Sequence, residues 1–114
     1  MAADLLRRIR KARESTVTIE PYKFIIRRPT DAEASELFGG NPSVIEIVRR
    51  FVVGWENVTD ADLVPSGGSD AAQFSPDLWS EWVSDRPDFW APLFDAIVSA
   101  YTHHQNELEA AGKL

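Results

Sequence analysis

The chain contains no cysteine. Disulfides, thiolate metal sites and a cysteine nucleophile are excluded, and a reducing compartment such as the cytosol is the expected setting. Long apolar runs are missing too: nothing approaches the roughly 18 residues of a membrane-spanning helix. The opening residues, Met1 to Arg10, lack the apolar middle of a signal peptide, so no membrane contact is expected. The two glycine pairs, Gly39-Gly40 and Gly67-Gly68, lead into neither Lys-Ser nor Lys-Thr, so no phosphate-binding loop is present. No serine has the glycine spacing of a nucleophile elbow. Histidine is limited to His103 and His104. Adjacent helical residues point about 100° apart and make a poor ligand pair, so both read as solvated helix residues, with His103 in reach of Glu107. Asp60, Asp62 and Asp70 fail the spacing of a calcium-binding loop and read as solvated or turn-capping acids. No enzyme is expected, and no catalytic, cofactor-binding or metal-ligating residue is assigned.

What is present is an ordinary globular composition, 44% hydrophobic and 26% charged over 114 residues. That length is one domain, residues 1–114, able to bury roughly two-thirds of its unfolded surface. The net charge of −6 is segregated. Residues 1–30 carry eight Lys or Arg and three acids; residues 31–114 carry four and fifteen. A basic head on an acidic body fits either a nucleic-acid arm or a contact between copies, head of one against body of the next. Self-association through Arg7, Arg8, Arg10 and Lys11 is the expectation, because the acidic body argues against a broad nucleic-acid surface.

The pattern predicts a helix-dominated α+β fold: an N-terminal two-stranded hairpin followed by a small bundle of four or five helices. Residues 1–14 form the basic helix, with Leu5, Leu6, Ile9 and Ala12 at helical steps. Residues 15–28 form the hairpin, with Tyr22, Phe24 and Ile26 on one face. Glu20-Pro21 between the strands is not a primed-turn sequence. Residues 30–110 form the helical body. Thr30-Asp-Ala-Glu33 is a capping box. Asn41-Pro42 starts an apolar helix through Phe51 and Val52 that Gly54 ends. Residues 56–73 are a long loop. Ser75-Pro76-Asp77 opens another helix, with Phe74 placed to staple Trp79, and the last helix runs over 88–110. Phe51, Val48, Ile97 and Phe94 are the expected core.

Four tryptophans are many for this length: Trp55, Trp79, Trp82 and Trp90. One reading is core, since each ring buries a large area. The other is a docking surface for an apolar helix, where aromatic anchors dominate. The aliphatic residues already available for a core leave both open.

Three stretches carry a resemblance: Phe51 to Asp60, Phe74-Ser-Pro-Asp-Leu-Trp-Ser-Glu-Trp82 and Asp85-Arg-Pro-Asp-Phe-Trp90, preceded by Phe24-Ile-Ile-Arg-Arg-Pro-Thr-Asp-Ala-Glu33. Together they resemble the tail assembly chaperones of long-tailed bacteriophages, loosely over residues 22–104. The resemblance implies a non-enzymatic protein that coats the tape-measure protein and keeps it soluble until tail-tube subunits replace it. It implies residence in the host cytoplasm and absence from the mature virion. A client-binding surface of Trp79, Trp82 and Trp55 is the expectation that follows. The other readings are a small nucleic-acid-associated regulator using the basic arm, and a small structural tail or head-completion protein.

Overall fold

The computed structural model describes residues 2–112; Met1, Lys113 and Leu114 lie outside them. The fold is mixed α+β and helix-rich, with six α-helices and a three-stranded antiparallel sheet among the described residues. Its centre is strand β2, Tyr22–Arg27, whose alternation puts Tyr22, Phe24 and Ile26 in the core and Lys23 in solvent. Strand β1, Glu14–Ile19, pairs with it from Glu14 opposite Arg27 to Ile19 opposite Tyr22. Glu20 and Pro21, joined by a cis peptide, make the two-residue connection.

The hairpin does not stand alone, which corrects the two-stranded expectation. Helix α3, Val44–Phe51, stops before Gly54, and Val52–Glu56 turns into strand β3 against β2. Val52 and Val53 are β-branched and suit an extended chain. The open edge of β2 supplies backbone partners that a further helical turn would leave unpaired. Val53 is the extra residue of a bulge between the Ile25–Gly54 and Ile26–Val52 pairs. That extra residue lets Val52 and Trp55, three apart, both face the core.

Helix α2, Asp31–Phe38, begins at the expected capping box: the Thr30 hydroxyl accepts from the Glu33 N–H at 3.1 Å, and Glu33 Oε1 accepts from the Thr30 N–H at 2.9 Å. Helix α3 is capped by Ser43 instead of Asn41. The stretch expected as a plain loop contains the short helix α4, Asp60–Leu63, and a bridge between Thr59 and Ala71. Helix α5, Pro76–Ser84, has Ser75 as its cap, as expected. Phe74 lies edge-on to Trp55 at 5.0 Å and not as a staple on Trp79. A 3-10 turn, Pro87–Phe89, leads into α6, Trp90–Ala110. At the other end of the chain stands α1, Ala2–Lys11, which buries none of its residues.

Helices α3, α5 and α6 cover one face of the sheet. Phe24 is at the hub, with the rings of Tyr22, Trp79, Trp82 and Phe89 centred between 5.1 and 6.2 Å from its own. Ile47, Val48 and Phe51 close the core from α3, and Leu93 and Ile97 from α6. Of the expected core, Phe51, Val48 and Ile97 are buried, whereas Phe94 is half-buried because Leu93 takes the inward position on α6.

Candidate functional site

Three of the four tryptophans are core residues. Trp79 is fully buried, and Trp55 and Trp82 are each 8% exposed. Trp79 and Trp55 thus do not form an open aromatic surface, whereas Trp82 reaches a groove on the outside of α5. The reason is that a three-stranded sheet offers one broad apolar face, and α5 must bury its own apolar side against it. Three of the four indole N–H groups are satisfied inside: Trp55 donates to the Ala72 carbonyl at 2.8 Å, Trp79 to that of Val48 at 3.1 Å, and Trp90 to that of Val83 at 2.7 Å. Trp90 is half-buried.

What α5 leaves on its outer side is different. Leu78, Glu81 and Asp85 follow one another at steps of three and four and so share one exposed helix face, with the buried Trp82 at its edge. That face and the α4 segment Ala61–Pro65 enclose a groove of about 530 Å³. Its floor is apolar: Leu78 is 43% exposed and Val64 50%, with Leu63 and Pro65 beside them. A second hollow of about 560 Å³ shares Leu63, Val64 and Leu78 with it. The rim is anionic. Among the described residues, Glu81 and Asp85 make no ion pair. Arg86 is the one cation lining the groove, and it is held by a two-bond contact to Asp88 at 2.9 and 3.0 Å and lies over the Phe89 ring at 4.1 Å.

The groove wall is fastened to the sheet. One oxygen of Asp62 accepts from the Thr59 N–H at 2.8 Å and the Thr59 hydroxyl at 3.0 Å; the other accepts from the Tyr22 hydroxyl at 2.9 Å. The Thr59 N–H, opposed by partial desolvation and helped by the two hydroxyls, keeps the Asp62 carboxyl below its usual range. Burial, followed by the Asp62 contact, pushes the Tyr22 phenol up. A Cβ on Gly67 would run into the Asp60 carbonyl, so only glycine allows the loop to close on α4. Asp62 is thus a cap, as one reading of the loop acids had it.

The sequence contains a signal for this face that composition by halves conceals. From Glu56 to Asp85 there are seven carboxylates and no lysine or arginine. Three of the seven, Asp62, Glu81 and Asp85, line the groove.

At the opposite end of the hairpin lies a second cluster. Glu33 accepts two bonds from Arg27, at 2.7 and 2.9 Å, and one from Arg50 at 3.0 Å. Both guanidinium groups lie over the Phe51 ring, at 4.6 and 5.4 Å. The Arg27 bonds, with the Thr30 N–H, lower the Glu33 carboxyl to about 2. Beyond it projects α1, with Leu5, Leu6 and Ile9 exposed at 56%, 48% and 53%. Arg7, Arg8, Arg10 and Lys11 are all exposed on this helix, and Arg7 pairs with Asp4 at 2.8 Å.

His103 meets Glu107 at 2.9 Å on the surface of α6, and His104 lies 3.5 Å from Asp31. No three His, Asp or Glu side chains converge on one point among the described residues, and no described helix is long and apolar enough to cross a membrane. Comparison with protein-family models, curated proteins and solved structures gives no match.

Proposed function

We propose that this protein is a non-catalytic assembly factor of the tail-assembly-chaperone kind, which binds an apolar helix of a tape-measure protein and yields it to tail-tube subunits. The observation that carries the reading is the groove between α4 and α5, with Val64 and Leu78 exposed on its floor and Glu81 and Asp85 on its rim. Its chemistry suits an amphipathic helix: apolar side chains for the floor, cations for the rim. The rigid aromatic layer behind it, with Trp82 reaching the groove and Trp79 and Trp55 further in, keeps the floor in place without an ordering cost on binding. Each contact is weak, since fully burying one Leu-sized side chain contributes about 2 kcal/mol. Many copies along one long client hold it through avidity and leave it stepwise. The reading places the protein in the host cytoplasm and outside the finished particle.

Coexpression with the tape-measure protein tests this. The client is expected in the soluble fraction with the parent chain and in the pellet with a Val64→Asp/Leu78→Asp variant whose melting temperature is unchanged. Equal client solubility with and without the protein overturns the reading.

A further inference from the structure

Among the described residues, two of the exposed apolar surfaces are chemical complements. On α1, Leu5, Leu6 and Ile9 fall within an arc of about 100°, with Arg8 and Arg10 bordering it on either side. On α5 and α4, Val64 and Leu78 lie between carboxylates. An amphipathic basic helix that docks on nothing and an apolar groove with an anionic rim occur in the same chain.

They cannot meet within one molecule. Helix α1 joins β1 through Ala12 and Arg13 alone, and the Arg28 N–H donates to the Arg13 carbonyl at 2.9 Å, which ties that joint to the Arg27 end of the hairpin. The groove is tied to the other end, where Tyr22 holds Asp62. A six-residue strand separates the two by about 20 Å, and α1 has no flexible linker with which to fold back.

We infer that α1 of one copy docks in the α4–α5 groove of the next, with Arg8 and Arg10 against Glu81 and Asp85 and with Leu5 and Ile9 on Val64 and Leu78. The contact joins two different surfaces, so it propagates head to tail into open chains or closed rings instead of stopping at a two-fold dimer. The inference rests on the reading of the groove as a helix-docking site. It adds that the occupant before a client arrives is the protein's own α1, which a client must displace.

Sedimentation velocity on the intact chain tests it with two charge-reversal variants, Arg8→Glu/Arg10→Glu and Glu81→Lys/Asp85→Lys, all on exposed side chains. The parent is expected to assemble with rising concentration at about 0.05 M salt and to revert toward monomer at about 0.5 M, where the Debye length is only a few Å. Each variant alone should be monomeric. Their equimolar mixture is expected to assemble again, since the intact α1 of the second fits the intact groove of the first and the reversed α1 of the first is complementary to the reversed groove of the second; a mixture that stays monomeric overturns the inference. A parent that is monomeric at low salt and high concentration overturns it, as does assembly that persists in either variant or that requires added nucleic acid. The client assay separates the two ideas: solubilisation that depends on Val64 and Leu78 without self-assembly leaves the chaperone reading standing and removes this one, and the converse removes the chaperone reading alone.

Discussion

Leu78 and Trp79 are neighbours in the chain and opposites in environment: one is 43% exposed on the groove floor, the other is fully buried under Phe24. Truncating them should therefore have opposite consequences. Trp79→Ala removes a packed ring and the indole N–H that donates to the Val48 carbonyl, and is expected to cost about 3–5 kcal/mol by chemical denaturation. Leu78→Ser should stay within about 0.5 kcal/mol. Phe51→Ala belongs with Trp79, because Phe51 is buried and carries two guanidinium groups on its ring. Glu33 provides a pH test. Its carboxyl is held at about 2 against an ordinary 4.5, so its contribution is complete above pH 4.5 and disappears as pH falls through about 2. With Arg50 44% exposed and its share screened, linkage puts that contribution at about 2 kcal/mol. Denaturation midpoints of the parent and Glu33→Gln should differ at pH 7 and converge near pH 2.

At the scale of elements, short signals decide where helices begin and sheet pairing decides where one ends. Ser75 and Thr30 accept the N–H three residues on, at 3.1 Å in both cases. Ser75→Ala should cost about 1 kcal/mol, read by thermal melting. The end of α3 has no such local cause. Phe51 is helical and Val52 is strand because β2 offers an edge, and Gly54 then fits under Ile25, whose Cδ1 would be 3.0 Å from an added Cβ. The segment 56–73 is held by the Asp60 N–H to the Asp70 carbonyl and the Ala61 N–H to the Gly68 carbonyl, each at 3.0 Å. Gly67→Ala should break this closure while leaving the core intact. Hydrogen exchange should then accelerate at Asp60 and Ala61 and stay slow in β2.

The whole molecule measures 53 × 38 × 22 Å, and its charge is arranged along the hairpin. The basic α1 projects at one end, and the groove with Asp62, Glu81 and Asp85 in its lining lies at the other. This polarity gives the chain a head and a tail, so an interface formed between them repeats with every added copy. Under the inferred docking, association should weaken with salt, since the rim charges are exposed and screened over about 8 Å at physiological ionic strength.

Much of this was legible in the residues. Alternation in Tyr22-Lys-Phe-Ile-Ile-Arg27 specifies a strand and its buried face, because side chains on an extended chain repeat every second position. Thr30 with Glu33 and Ser75 with Pro76 specify helix starts, because the first turn's N–H groups need local acceptors. The basic stripe of α1 is periodic and also readable. The third strand, the inward turn of Leu93 over Phe94, and the side of α5 that faces solvent are tertiary decisions. Each depends on a partner distant in sequence: β2 for Val52–Glu56, Phe24 for Trp79, the α4 segment for Leu78. Four tryptophans read alone fit a core or a docking surface equally well. Only the single broad face of the sheet determined that Trp55, Trp79 and Trp82 pack inside and that Val64 and Leu78 remain for the groove.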